Sequence, residues 1–151
     1  MEFNNSDKKT ILLCLIGVGG SNKISNEPIS GSIKLMKEAF LLQVDYLGEK
    51  FPYHFIPYDF GPCSFEIYDD LNLLIKEGIV NEEKNNSFSI YSVSSSYEEL
   101  VKQLLANLDP SIRNAILKIK KDFNKLSYYS LIAYVYDKHP QFTRASKFKL
   151  Y

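Results

Sequence analysis

Apolar residues return at helical intervals in one segment after another, and few folds satisfy that pattern. Ile33, Met36, Phe40, Val44 and Leu47 step by 3, 4, 4 and 3, so they line one face of a helix that must meet a core. Ser32 and Gly48 stand where an N-cap and a C-terminal glycine belong. Behind Asp109-Pro110, a cap followed by proline at the first helical position, come Ile112, Ala115, Ile116, Ile119 and Phe123 on one face. Ser96 and Glu99 form a capping box ahead of Leu100, Val101, Leu104 and Leu105. Ser127 opens a helix carrying Leu131, Ile132, Val135 and Tyr136, and Pro140 limits its end. Ser64 caps another, with Ile67, Leu71, Leu74 and Ile75 inward and Gly78 at its end. The first helix runs from Ser6 or Asp7 through the apolar run 11–16, and Gly17, Gly19 and Gly20 stop it.

Between these helices the signals change. Residues 17–31 read as a polar loop with Asn22, Asn26, Pro28 and Gly31. Residues 53–58 read as a short extended segment closed by a turn at Asp59-Phe60-Gly61-Pro62. Ile79-Val80 and residues 88–93 read as two strands joined by a polar tip over 81–87. Helix, helix, short strand, helix and a two-stranded wing is the order of a winged helix-turn-helix. The expected fold is therefore mainly α, with a winged helix-turn-helix core and a small β-wing over 6–94. A helical extension over 95–151 packs on it to complete a single domain of 151 residues.

Net charge is zero, yet the charge is segregated along the chain. Residues 1–100 hold 8 Lys/Arg against 15 Asp/Glu, or −7, and residues 101–151 hold 10 against 3, or +7. Such a dipolar chain suits docking to another protein or to a second copy of itself, unless the halves neutralise each other within one fold. Hydrophobic residues at 45% and charged residues at 24% are a globular balance, not a disordered one. The start Met1-Glu2-Phe3-Asn4-Asn5-Ser6-Asp7 lacks the basic region of a signal peptide, and apolar runs are too short for a bilayer. No membrane contact and a cytoplasmic location are the expectation.

Catalytic patterns are weak. Gly17, Gly19 and Gly20 after residues 11–16 suggest a phosphate loop, but Asn22 stands where the dinucleotide fingerprint needs glycine. Cys14 and Cys63 are isolated, and His54 and His139 keep no nucleophile or metal spacing with Cys63. Asp69 and Asp70, being adjacent, point about 100° apart on a helix and do not share one ion. Neither a catalytic residue, a cofactor nor a metal is expected. An enzyme would rest on Cys63 and the two histidines alone. DNA is the stronger rival, because the fold invites it. Residues 64–77, in the place of a recognition helix, carry Glu66, Asp69, Asp70 and Glu77 against Lys76, and phosphates would repel that surface. Nucleic acid would have to be met by the basic second half instead. Arg113, Lys118, Lys120, Lys121 and Lys125 lie on the fifth helix, and Lys138, Arg144, Lys147 and Lys149 lie beyond it.

The run Pro57-Tyr58-Asp59-Phe60-Gly61-Pro62-Cys63-Ser64, followed by Glu66-Ile67-Tyr68-Asp69-Asp70-Leu71 and Gly78-Ile79-Val80, resembles the YwgA-like family. Gly31-Ser32-Ile33-Lys34-Leu35-Met36-Lys37 upstream is similar to that family's helix start, although relatives often carry arginine combinations at Ser32 and Lys34. Residues 131–136 with His139-Pro140 are similar to its closing signature. The YwgA-like family is in turn similar to the SocA/Panacea superfamily. The resemblance implies a winged-helix-like domain without known chemistry. For Panacea members it implies an antitoxin that neutralises a partner by protein contact, in some cases delivering it to a protease.

Together these readings give a non-enzymatic protein-interaction module, antitoxin- or adaptor-like, with Tyr58, Tyr68, Asp69, Arg113, Lys118, Lys121, Lys125 and Arg144 as its partner-binding residues. Its partner is a protein or a second copy. The alternative is a DNA-binding regulator that uses the basic C-terminal helices.

Overall fold

The structure, a computed structural model, describes residues 1–20 and 25–146. It is mainly helical, with α1 (Lys8–Gly17), α2 (Ser32–Leu42), α3 (Phe65–Lys76), α4 (Glu98–Asn107), α5 (Pro110–Phe123) and α6 (Tyr128–Lys138). Strands β1 (Ile29–Ser30), β4 (Val80–Asn85) and β5 (Phe88–Val93) form an antiparallel sheet in the order β1-β5-β4. Between α2 and α3, β2 (Ile56–Tyr58) and β3 (Gly61–Cys63) make a separate two-stranded ribbon.

Helix α1 is the centre of the core. Every residue from Thr10 to Ile16 is buried, so this helix has no polar face. An all-apolar helix is stable only when other elements surround it, and α4, α5 and β5 do so. Asp7 caps its start by accepting from the Lys9 N–H at 3.2 Å. Gly17 at its end lets β5 and α4 come close, since a Cβ there would stand 2.8 Å from methyls of both Val93 and Val101. The glycine-rich segment is thus a helix end and not the strand-to-helix turn of a nucleotide fold. Asn22 lies outside the described residues.

Helix α2 is buried from Lys34 to Leu42. Gly31, at φ 104°, takes the N-cap position expected for Ser32, and no side chain caps that end. The expected stripe holds as far as Phe40, then slips. Residues Gln43–Leu47 form a π-helical turn, whose wider winding carries Val44 to the surface while Leu47 stays buried. Strand β1 lies inside the segment expected to be a loop; with two residues it has no periodicity to read, and pairing of Ile29 with Tyr91 defines it. Strand β4 claims most of the expected hairpin tip and leaves a turn at Asn86-Ser87. Beyond Val80 its side chains all face solvent, so no apolar alternation marked it.

Asp109 and Ser127 cap α5 and α6 as expected, accepting from the N–H of Ser111 at 2.8 Å and of Ser130 at 3.1 Å. The Ser96/Glu99 capping box does not form. Residues Ser95–Tyr97 make a 3-10 turn instead, and α4 begins at Glu98 without a side-chain cap. Ser64 stands at the N-cap of α3, but its N–H reaches the Met36 sulfur at 3.3 Å and its side chain caps nothing. No described helix is long and apolar enough to cross a membrane.

Candidate functional site

The predicted partner-binding residues lie on the ribbon and α3, on α5 and its following turn, and beyond α6. Tyr58, on β2, stacks edge-on against Phe65 of α3 with ring centroids 5.2 Å apart. Tyr68 is half-buried one turn along α3, and Asp69 beside it faces solvent. Lys118, Lys121 and Lys125 are exposed on the outer side of α5 and its following turn, where Lys118 pairs with Asp122 at 2.8 Å. Arg113, at the start of α5, donates to the Ala106 carbonyl at 3.1 Å, and Arg144 is exposed beyond α6. Lys147 and Lys149 lie outside the described residues.

Lys120 leaves this basic surface altogether. It is fully buried, and its ammonium donates to the carbonyls of Leu15 and Ile16 at 2.8 and 2.9 Å. A cation there satisfies the orphan carbonyls that end α1 and complements the helix dipole. Around it lies a buried polar cluster that helical periodicity does not reveal, formed by Glu27, Lys34, Glu38, Lys120 and Asn124. The Lys34 ammonium donates to the Asn124 carbonyl at 2.7 Å, and the Asn124 amide donates to Glu27 at 2.6 Å. Glu38 is fully buried and neither carboxyl oxygen has a hydrogen-bond partner. Burial pushes its pKa up from 4.5 to about 8, against the pull of Lys120 and Lys34. Burial in turn holds Lys120 below the ordinary amine range, opposed by Glu38 and Glu27. From sequence alone Lys120 joins the basic cluster of the fifth helix and Glu38 has no assigned role. Their one sequence signal is that each stands within an apolar helix face.

Above this cluster opens a groove of about 620 Å³, within the size range of ligand sites. Its rim carries Phe60 from the ribbon turn, Phe88 from β5 and Tyr128 from the start of α6. Its floor is the first turn of α2, with Ser32 and Lys34. The Gly31 N–H donates to the Ser89 carbonyl at 2.7 Å, which ties β5 to that floor. Phe88 and Tyr128 are 45% and 48% exposed, so the aromatic surface meets solvent. Phe60 and Phe88 had not been singled out for binding, although both are aromatic residues at turns, where no core requires them.

A smaller cavity of about 40 Å³ lies behind the ribbon, lined by Lys37, Tyr58, Cys63 and Tyr68 among others. Lys37 is buried, donates to the Pro62 carbonyl at 3.0 Å, and is lowered by burial to about 8. Burial pushes the Cys63 thiol up, with the Lys37 charge opposing, so the thiol form prevails at neutral pH. His54 offers its backbone N–H to Glu66 at 2.9 Å, and His139 lies 3.6 Å from Asp45 and edge-on to Phe40. Among the described residues neither histidine is bonded to Cys63, and no three His, Cys, Asp or Glu side chains gather as a metal site. Asp70 accepts from the Tyr53 hydroxyl at 2.6 Å while Asp69 points outward, as expected of adjacent helical residues.

No protein-family model matches this chain, and no curated protein matches it.

Proposed function

We propose that this chain is a non-enzymatic protein-interaction module with a winged-helix-like core, serving in the cytoplasm as an antitoxin- or adaptor-like component. The aromatic-rimmed groove carries the reading. Three elements far apart in sequence each present a ring to it, and rings of this kind anchor polypeptides at modest entropic cost. The sheet order β1-β5-β4, with α1, α2 and α3 in the chain order of a winged helix, supports the fold part. The resemblance to the YwgA-like and Panacea families supports the partner class. The outer face of α3 opposes the usual docking on a duplex, since Asp69 and Glu77 stand there with Lys76 as the basic residue of the helix, while Glu66 is paired with Lys8.

The groove is tested by comparing pull-downs from the native host with wild-type protein and with Phe60→Ser plus Phe88→Ser. A specific protein retained by the wild type and lost with the variant is expected. Recovery of nothing specific, or equal retention by both, refutes the reading. Lys118, Lys121 and Lys125 on one exposed face favour a second reading, DNA binding through the C-terminal helices. Salt-dependent gel-shift binding abolished by Lys118→Glu plus Lys121→Glu would establish it, and no binding at low salt would remove it.

A further inference from the structure

Two helix ridges elsewhere on the molecule, exposed except at half-buried Arg113, complement each other residue by residue. On α3 and its C-cap, Phe65, Asp69, Leu73 and Glu77 stand four apart, so they form one ridge. All four are exposed, and Phe65 and Leu73 are large apolar side chains at 50% and 37% exposure. The neighbouring acids are already engaged. Glu66 holds the Lys8 ammonium and the His54 N–H, both at 2.9 Å, and Asp70 holds Tyr53. Asp69 and Glu77 are the carboxylates this ridge presents outward.

On α5 and the turn after it, Arg113, Leu117, Lys121 and Lys125 also stand four apart. Leu117 is an exposed leucine on an otherwise charged face. Lys118 is offset by Asp122 in its own helix, so Arg113, Lys121 and Lys125 set the sign of this ridge. Laid antiparallel, the two ridges match at every step: Glu77 with Arg113, Leu73 with Leu117, Asp69 with Lys121, and the Phe65 ring with Lys125. The first and third are ion pairs, the second is apolar, and the fourth sets a cation against an aromatic ring.

We propose that a second copy of this chain docks its α5 ridge on the α3 ridge of the first. Each ridge is a surface of the same chain, so no partner of other chemistry has to be invoked. The contact is isologous if both copies exchange the same two ridges about a two-fold axis, and heterologous, extending head to tail, if they do not. A contact of one helix on another is small, so the association is weak and reversible. Its exposed ion pairs make it salt-sensitive. It leaves the groove out of account, so it stands or falls independently of the proposed partner recognition.

Sedimentation velocity over a concentration series, at low and high salt, tests it. Wild-type protein is expected to self-associate at low salt and to dissociate as salt rises. Asp69→Lys alone and Lys121→Glu alone each place like charges at the contact and are expected to abolish association. The double variant restores an opposite-charge pair with its polarity reversed and is expected to recover it, as is an equimolar mixture of the two single variants. Leu73→Ser with Leu117→Ser is expected to weaken association at all salt concentrations. Thermal melts confirm that these surface variants fold. A monomeric wild type would overturn the proposal. So would single variants that associate like wild type, or a double variant that stays monomeric.

Discussion

Glu38 is the residue whose setting departs furthest from its chemistry. A carboxyl group with no hydrogen-bond partner in a closed interior keeps its proton, and burial raises its pKa from 4.5 to about 8. The sign of the consequence follows from linkage. Between about 4.5 and 8 the folded chain holds a proton that the unfolded chain has released. The contribution to stability is therefore complete below pH 4.5 and is lost as pH rises through 8. Lys120, held below its ordinary 10.5, acts in the opposite sense, so its contribution is present at high pH and is lost as pH falls. Melting temperature is expected to decline from mildly acidic to mildly alkaline pH in the wild type. Glu38→Gln should flatten that decline, because the amide has no proton to lose. An unchanged pH profile for the variant would place the titrating group elsewhere. The one trace of this in the residue string is that each charge interrupts an apolar helix face. Lys34, Glu38 and Lys120 carry charges that any amphipathic reading sends to the surface, and only the convergence of α2, α5 and the end of α1 draws them in.

At the scale of elements, legibility followed the source of the signal. Helices α3, α5 and α6 could be read because their apolar faces and their glycine or capping punctuation both lie in local sequence. The Asp109 and Ser127 caps form as their residue types require. Where tertiary pairing decides, local sequence was silent. Strand β1 exists because Ile29 and Ser30 pair with Tyr91 and Ile90, and β4 because β5 lies beside it. Val44 was misplaced because a single π-helical turn shifts the helical phase, and no residue in it announces that winding. Of the candidate site, the exposure of Tyr58, Asp69 and Lys121 could be read, whereas the groove rim could not, because its rings come from three elements.

The ribbon makes one element-level expectation sharp. Gly61 has φ 96°, and a Cβ there would stand 2.8 Å from the Tyr136 ring of α6. Gly61→Ala therefore meets both a disfavoured backbone and a rigid ring, and should cost about 1–3 kcal/mol in denaturant unfolding. A loss of under a few tenths would show that α6 yields easily.

For the whole molecule, the charge asymmetry of the sequence survives as two surfaces, one acidic on α3 and one basic on α5, with Lys120 subtracted from the second. The expected single domain has a 95–151 helical part packed on a 6–94 part. Residues of α5 and α6 belong to the same buried cluster as α1 and α2. A chain truncated after Leu108 keeps every element of the expected winged-helix part, yet loses Ile116, Ile119, Leu131 and Val135 from that cluster. It should show no cooperative thermal transition by circular dichroism, and a sharp transition would show that the first part folds without the second.

The Lys120 ammonium against the Leu15 and Ile16 carbonyls has a further consequence in time. During synthesis α1 leaves the ribosome, greasy on every side, about a hundred residues before the cation that finishes its last turn. Until α5 emerges, the nascent chain carries an open-ended apolar rod, and this is the interval in which it needs shelter from aggregation.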